Sequence, residues 1–591
     1  MIRKAMKILP LWGRWPAKGG SEGAPTVSAS RCHLPRRGRI TVAVAVSAAL
    51  IATPAMADTL IDNVIGVTIN TAGGIDNFTG LVIGDDGRIR TVLHRGDKKP
   101  KTSFRIDGKG RFVMPGLIDS HSHVTSVGLA AMTLDLSRTR SLAEALAAIG
   151  AYAKAHPDRP WILGRGWNQE LWSEKRFPTA AELDGVVGDR PVWLGRVDGH
   201  AGWGNSRALA LAGVTAASKD PAGGKIERIA GGKPSGVFID TAQDLVTKVI
   251  PAPRPEDLDY AFDLAQRIFL SYGVTATADM GTSIEDWQAF RRAGDAGTLK
   301  IRIMAYGAGI EHMALIGGPG PSRWLYEDKL RLNGVKLYMD GALGSRGASL
   351  KLPYADAPTR GLRITSDTQL RNLMSRAALD RFQIAVHAIG DEANAALLSA
   401  IEEMAPTYNG DRRWRIEHAQ IVDPADITRF GKYGMIASMQ PVHQTSDRLM
   451  AEARLGPNRL AGAYAWHSIL AAGGKLAFGS DAPVELPDPF AGLAAAISRT
   501  GPDGEPAGGW MAQERVTREQ ALAGYTAWGA YAGFADGRFG RLVVGERADF
   551  LFVDRDVMLA SPSQLAKTVV SQVYLGGQLV WDAARDKRPM P

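Results

Sequence analysis

The stretch that decides the fold is MPGLIDSHSH, residues 114–123, in which an apolar run ends in two histidines separated by one residue. Side chains alternate sides along a β-strand, so His121 and His123 would lie on one face, roughly 7 Å apart at the backbone. Two neutral imidazoles that face one point suit zinc, in a catalytic role if other ligands leave a coordination position open. A pair of hydrogen-bonded histidines at a strand end is the alternative, and this motif alone does not exclude it.

The middle of the chain predicts an α/β fold of the (β/α)₈ TIM-barrel type. Short apolar runs alternate there with helical patterns, which is typical of parallel strands joined by crossover helices. The interval 135–270 is too long for one crossover, so we expect an inserted subdomain after the first barrel strand. The eight strands are predicted at 112–118, 274–280, 301–306, 334–339, 383–387, 414–418, 435–439 and 475–479.

Both ends of the globular part have a different pattern. Residues 58–112 and 537–591 alternate apolar and polar side chains between glycine-rich turns, which predicts short strands and hairpins. Neither piece is large enough for a sheet core of its own. We therefore expect the two ends to pair into one small β-sandwich domain beside a barrel at 113–536.

Residues 1–57 read as a leader. They carry +8 of the net charge of +9, so the remainder is nearly neutral and a nucleic-acid partner is not expected. Arg36 and Arg37 precede an apolar run at 40–52, and Ala55-Met56-Ala57 fits a signal-peptide cleavage site. This predicts a periplasmic or secreted protein without stable membrane insertion once the leader is removed; retention of the leader as an N-terminal anchor is the alternative.

The only cysteine, Cys32, lies in this leader. The mature chain would therefore have no disulfide, no thiolate metal ligand and no cysteine nucleophile.

Polar residues follow the predicted barrel strands at the ends where barrel enzymes assemble their sites. Four of the eleven histidines of the chain fall at these ends, which argues against chance placement. Together they predict a metal site. The candidate ligands are His121, His123, Lys336, His387, His418 and Asp481.

Four motifs around these residues resemble those of the amidohydrolase superfamily. They are PGLIDSHSH (115–123), VHAIGD (386–391), RIEHAQ (415–420) and FGSDAP (478–483). The run GVKLYMDGALGSR (334–346) is similar to the branch that contains N-substituted formamide deformylases and YtcJ-like hydrolases. The motifs are specific for the superfamily but not for a substrate.

The resemblance implies two zinc ions, one held by His121, His123 and Asp481 and the other by His387 and His418. It also implies that CO₂ converts Lys336 into a carbamate that bridges the ions, since a free ammonium has no lone pair to donate. An unmodified Lys336, beside a single metal or in a salt bridge, is the alternative. Asp481 would accept the proton of the attacking water and pass it to the departing nitrogen.

Five further residues are candidates near the substrate. His443 follows the seventh strand and would contact the substrate or the oxyanion, with an ordinary loop histidine as the alternative. His200 lies in the insertion, in a motif that resembles one of the branch. Trp167 and Trp172 would wall an apolar pocket or pack the subdomain core. Arg346 would pair with a substrate carboxylate or, as the preferred interpretation, with Asp340.

These residues predict a metal-dependent hydrolase that cleaves a C–N bond, of the amide or N-formyl type, in a small molecule. An esterase, carbamate hydrolase or lactonase would use the same site, and a catalytically silent binding or regulatory protein is the alternative from another class. A Ser-His-Asp hydrolase is not expected, because the one Gly-x-Ser-x-Gly match, residues 19–23, lies in the leader. A homo-oligomer is compatible with the sequence.

Overall fold

The computed structural model describes residues 58–589. The predicted leader, its cleavage site and Cys32 lie outside them. In the described range, the β-strands in chain order are β1 (Thr59–Ile69), β2 (Ile75–Ile83), β3 (Ile89–Leu93), β4 (Phe104–Asp107), β5 (Phe112–Pro115), β6 (Leu117–Ser122), β7 (Leu134–Asp135), β8 (Ile162–Trp167), β9 (Val192–Arg196), β10 (Ala201–Gly204), β11 (Gly224–Arg228), β12 (Pro234–Asp240), β13 (Val274–Thr282), β14 (Arg302–Ala308), β15 (Leu330–Tyr338), β16 (Gln383–Ala388), β17 (Arg415–His418), β18 (Ile436–Met439), β19 (Lys475–Phe478), β20 (Phe550–Val553), β21 (Val570–Leu575) and β22 (Gln578–Asp582).

Eight parallel strands form a nearly closed barrel, in the order β6, β13, β14, β15, β16, β17, β18, β19. The last strand returns to the first through two backbone hydrogen bonds. Asp481 N donates to His121 O at 2.7 Å, and His123 N donates to Ala482 O at 2.8 Å. The prediction of an α/β barrel is confirmed, and the closure brings the His-x-His motif beside Asp481.

The first predicted barrel strand, 112–118, was wrong in its bounds. Phe112–Pro115 forms β5, which pairs with β1 and β20 in another sheet, whereas Leu117–Ser122 forms barrel strand β6. Gly116 joins them where the chain passes close to β13, and a Cβ at this position would lie 2.2 Å from Thr275 Oγ1. One apolar run therefore supplies strands to two sheets, and the change of sheet falls at Gly116.

The other two sheets use the chain ends and the long interval after the first barrel strand. Strands β1–β5 and β20–β22 belong to one eight-stranded sheet, in which β20 lies antiparallel to β5. Strands β7–β12 form a six-stranded sheet between Leu134 and Asp240. Whether these sheets are a β-sandwich domain and an inserted subdomain stays a prediction.

Helices fill the connections between the strands. Among the described residues, no helix is long and apolar enough to cross a membrane. Helix α6 begins with Pro255 in its first turn and packs tightly on α1, because a Cβ at Gly128 would lie 1.7 Å from Ala261 O. The α-helices are α1 (Val124–Ala131), α2 (Leu142–Ala155), α3 (Ala180–Val187), α4 (Ser206–Leu211), α5 (Asp244–Thr247), α6 (Pro255–Ser271), α7 (Ile284–Asp295), α8 (Gly309–Gly317), α9 (Asp367–Leu379), α10 (Asp391–Met404), α11 (Ile427–Lys432), α12 (Pro441–Leu455), α13 (Trp466–Ala471), α14 (Pro489–Ser498), α15 (Arg518–Gly524), α16 (Ala527–Ala532) and α17 (Pro562–Leu565).

A buried ion pair ties the barrel to the terminal sheet. Arg302, the first residue of β14, donates from Nε and Nη2 to the two carboxylate oxygens of Asp549 at 2.6 and 2.8 Å. We expect Asp549→Ala to lower the free energy of unfolding by about 3–5 kcal/mol, because it leaves a buried guanidinium uncompensated. Urea denaturation measures this loss. The exposed pair Arg292–Asp259 is the control, and Asp259→Ala should cost less than about 1 kcal/mol. Equal losses in both variants would contradict the assignment.

Candidate metal centre

The six candidate ligands meet at the carboxyl end of the barrel. His121 ends β6, Lys336 lies on β15, His387 on β16 and His418 at the end of β17. The ring centroids of His121 and His418, and those of His387 and His418, are 4.6 Å apart. His123 caps the start of α1, and Asp481 follows β19. Residues from four separate strands and from the segments after β6 and β19 thus face one point.

Asp481 lies at the centre of this group. Its Oδ1 atom is 3.1 Å from His123 Nε2 and 3.3 Å from His121 Nε2. Lys336 Nζ lies 3.3 Å from His121 Nε2 on the same side. The backbones of Asp481 and His418 have φ values of 60° and 75°, a strained region for residues other than glycine. The fold holds both side chains in the cluster at a conformational cost.

Burial and neighbouring charges set the protonation of the cluster. Burial, with the charge of Lys336, lowers the pKa of His121 to about 4. The pKa values of His387 and His418 are also lowered well below the usual range by burial. Burial alone would raise the pKa of Asp481, but the surrounding imidazoles hold it well below its usual value. Neutral imidazoles around an ionised carboxylate are a donor set that binds divalent cations such as zinc.

Lys336 is the remaining member, with only 1% of its surface exposed. Burial lowers the pKa of its amine to about 8. The Nζ atom also lies 5.1 Å from the ring centroid of Tyr338. A primary amine in this position carries less positive charge at neutral pH than a surface lysine does.

Two groups of side chains in the described range have donor atoms within 4.8 Å of one another. The first is His121, His123 and Asp481, which is the set expected for one ion. The second is His418, His443 and Asp481, with His443 in the position expected for His387. The Nε2 atom of His387 instead lies 3.4 Å from Gly341 O. His443, which was expected to contact the substrate or the oxyanion, thus lies among the candidate metal ligands.

Buried carboxylates that the motifs did not single out orient the ligands. Glu417 accepts from His121 Nδ1 at 2.6 Å and is paired with Arg415 at 2.7 Å. Asp119 accepts from the backbone amides of His121 and Ser480, and so joins the two ligand segments. The sequence held no signal for Glu417, because strand alternation places a residue next to a ligand on the opposite face, and it is the positive φ of His418 that breaks this alternation.

We expect Glu417→Gln to weaken zinc binding about tenfold to hundredfold, because the anion that fixes the His121 tautomer and raises its basicity is lost. Competition with a fluorescent chelator measures the affinity. Asp488→Asn is the matched control, since that buried carboxylate caps α14 and touches no ligand. An unchanged zinc affinity in folded Glu417→Gln protein would rule out this role.

Two cavities open onto the cluster. The smaller, of about 200 Å³, runs towards the six-stranded sheet past Leu129, Leu163 and Ile250. The larger, of about 670 Å³, is polar and includes Asp447 and Glu485. His387, His418 and Asp481 line both cavities, as does His200. A bound molecule could therefore extend from the cluster in two directions.

His200 and His443, the two weaker histidine candidates, both reach the site. The ring centroid of His200 is 5.0 Å from that of His387, and its Nδ1 lies 2.6 Å from Asp240 Oδ1. His443 lines the larger cavity, and its buried Nε2 has no hydrogen-bond partner within residues 58–589. Both rings could therefore meet a substrate.

Trp167 and Trp172 are fully buried in the core of the insertion, where Trp167 Nε1 donates to Leu194 O at 2.8 Å. Neither lines either of the two cavities. Their positions correspond to core packing and not to the pocket wall that the sequence analysis considered.

The preferred partner of Arg346 was also wrong. Its guanidinium pairs with Asp356 at 2.7 Å, while Asp340 accepts backbone amides of the following loop.

Comparisons with known proteins agree with this geometry. A family model described as the amidohydrolase family matches residues 105–581. Protein LONG AFTER FAR-RED 3 of Arabidopsis thaliana is 34% identical, over 81% of this chain and 84% of that protein. Putative amidohydrolase YtcJ of Bacillus subtilis is 32% identical, over 82% and 91%. The N-substituted formamide deformylase of Arthrobacter pascens is 27% identical, over 88% and 98%.

Among solved structures, an uncharacterized metal-dependent hydrolase of Pyrococcus horikoshii is 26% identical with a TM-score of 0.69. The match covers 85% of this chain and 99% of that one. These similarities confirm the resemblance drawn from the four motifs and the run at 334–346.

Proposed function

The chain belongs to the amidohydrolase family, and from this premise we propose that it hydrolyses a C–N bond, of the amide or N-formyl type, in a small molecule. The observation that carries the proposal is the cluster of neutral imidazoles around ionised Asp481 at the junction of two cavities. A silent binding protein would have no need to keep these groups desolvated and strained.

The donor set fits two zinc ions. His121, His123 and Asp481 would hold one, and His418 with His387 or His443 the other. Lys336, whose Nζ atom lies 3.3 Å from His121 Nε2, would contribute anionic oxygen ligands to the same site as a carbamate. Bound zinc would supply Lewis acidity and make hydroxide available near neutral pH.

Asp481 is the residue that would move the proton. It lines both cavities and its low pKa keeps it ionised, so it can accept a proton from water and return it to the departing nitrogen. His200 lines both cavities and would donate to the substrate carbonyl as negative charge develops, as would His443 in the case that His387 holds the second ion. These side chains would thus assist the attack of water, stabilise the negative charge on the carbonyl oxygen and protonate the leaving nitrogen.

The C–N preference draws support from the relative named as an N-substituted formamide deformylase. Ester, carbamate and lactone hydrolysis would use the same residues, because each has a carbonyl that water attacks. Amide and ester hydrolysis differ in how strongly they depend on protonation of the leaving group. An amine must be protonated to depart, whereas an alkoxide departs more readily without a proton. We also propose, from the leader motifs, that the protein is exported to the periplasm or the medium. The strands from the two chain ends would form a β-sandwich domain.

Hydrolysis of matched substrates tests the function. Zinc-loaded protein would be offered N-phenethylformamide, N-phenethylacetamide and phenethyl acetate, with amine or alcohol release as the readout. We expect a higher kcat/KM for at least one of the two amides than for the ester, relative to their uncatalysed rates. Turnover of the ester alone would favour the esterase alternative, and turnover of none at any zinc loading would favour a silent binding protein.

A further inference from the structure

The smaller cavity contains a guanidinium without a carboxylate partner. Arg165 lies on β8, at the cavity wall. Its Nη2 atom donates to two backbone carbonyl oxygens, those of Val197 and Pro483. Within residues 58–589, no carboxylate lies within ion-pair distance of it, and its Nε and Nη1 atoms have no hydrogen-bond partner.

This arrangement differs from that of the neighbouring cation. Arg196 lines the same cavity, but its donors are taken by Asp198, Gln169 and Asn168. The carboxylates whose charge acts on Arg165 are Asp135, Glu485 and Asp481, all beyond ion-pair distance. Asp135 already accepts from Ser137. Arg165 is partly exposed, and its Nε and Nη1 atoms are accessible to an anion that enters the cavity.

Arg165 lies on the face of the six-stranded sheet that lines the smaller cavity. Leu163 and Arg165 are two residues apart on β8 and so share a face, and their register partners on β9 are Trp193 and Gly195. All four line the cavity. Gly195 leaves room in front of Arg165, because the nearest atom to a Cβ built there is Arg165 Cβ at 3.9 Å.

A second unsatisfied donor lines the same wall. The Nε1 atom of Trp193 is buried with no hydrogen-bond partner in the described part of the chain, and only 2% of the residue is exposed. Because this atom has almost no accessible surface, the donors that a molecule in the cavity can meet are those of Arg165. The wall also has apolar side chains, with Leu129, Ile250 and Met280. Besides Asp481, three carboxylates line it too, and each already has a partner: Asp198 pairs with Arg196, Asp279 accepts from Val124 N and Thr282, and Asp286 accepts from Ser283.

We propose that Arg165 binds a carboxylate of the substrate, whose apolar body fills the smaller cavity while its amide lies at the metal cluster. A planar guanidinium matches a carboxylate through two parallel hydrogen bonds, which a backbone carbonyl does not offer. The volume of about 200 Å³ exceeds that of a cavity known to hold benzene, so a phenyl group fits. The substrate class is a small N-acylated amino acid or a similar amide that carries a carboxylate; this identification rests on the proposed function.

Binding of a matched pair of ligands tests Arg165 without catalysis. Titration calorimetry on the zinc-loaded protein would compare 3-phenylpropanoate with 3-phenylpropanol, which differ in the anion. We expect the wild type to prefer the carboxylate at least tenfold, and Arg165→Met to reduce this preference by about tenfold to hundredfold. Arg165→Lys should retain an intermediate preference, because it keeps the charge and loses the fork.

The control variant is Arg159→Met, which removes the same charge from an exposed residue outside both cavities. It should leave the preference unchanged. A carboxylate preference that survives in Arg165→Met would mean that zinc alone holds the anion, and would overturn the proposal. Equal weakening of both ligands would also overturn it, since Arg165 would then only support the Pro483 loop.

A kinetic comparison separates this proposal from the proposed function. N-formylphenylalanine and N-phenethylformamide differ in the carboxylate, and Arg165→Met should lower the ratio of their kcat/KM values by the factor seen in binding. If the wild type turns over neither compound, the amidase function fails while the calorimetry still decides whether Arg165 binds a carboxylate.

Discussion

Asp481→Asn is expected to lower kcat by at least about a thousandfold while the protein stays folded, since general base catalysis contributes about 10²–10⁴ and a metal ligand is weakened as well. Asn has the same shape and can still accept a hydrogen bond from His123 Nε2, which lies 3.1 Å from the carboxylate. It cannot take a proton from water or carry the negative charge that the surrounding imidazoles stabilise. The measurement is kcat on the best substrate of the panel, with circular dichroism to verify the fold.

The control for Asp481→Asn is another aspartate of the same region. Asp447 lines the larger cavity, and its carboxylate accepts from Tyr464 Oη at 2.8 Å rather than from the histidine cluster. We expect Asp447→Asn to keep kcat within about tenfold, because it changes the cavity charge without touching the proton-transfer residue. If both variants lost activity equally, the effect would come from cavity charge, and Asp481 would not be the base.

Lys336→Ala is expected to abolish the second metal site and to lower kcat at least about a hundredfold, because the oxygen ligands that the proposed carbamate would supply are removed. The side chain is buried beside His121, so its removal leaves a cavity open to the cluster. A short carboxylate such as acetate or propionate fits that space and supplies the missing oxygens. Activity should therefore return in part when millimolar acetate is added.

Lys351→Ala is the matched control for Lys336→Ala, since that half-exposed lysine pairs with Asp423 and Asp426 away from the cluster. It should keep both metals and should not respond to acetate. If Lys336→Ala retained two metals and wild-type turnover, the carbamate would be excluded, and Lys336 would act only through its charge or packing.

The sequence predicted the barrel and the clustering of the candidate ligands because both depend on local patterns. Apolar runs spaced by helices give the strands, and the carboxyl end of each strand fixes where His387, His418 and Asp481 must lie. The fourth strand begins at Leu330 and not at 334, and the first was wrong in its bounds because one apolar run supplies two sheets. That division depends on the close approach of Gly116 to Thr275, two residues far apart in the chain.

The supporting contacts could not be read from the sequence because they join distant segments. Glu417 and His121 are 296 positions apart, and neither shows by itself that the other completes its hydrogen bonds. The same holds for Arg346, whose preferred partner Asp340 was nearer in sequence than Asp356. The direction of helix α12, which begins two residues after the end of β18, likewise decides that His443 joins the second donor group.

The central claim is that buried side chains of the barrel mouth hold divalent cations that the reaction needs. Metal analysis of purified protein, coupled to turnover before and after chelation, tests it most directly. We expect one to two equivalents of zinc per chain, loss of turnover with the metal and recovery on adding zinc back. Full turnover by protein with less than a tenth of an equivalent of any divalent metal, unaffected by chelators, would contradict it.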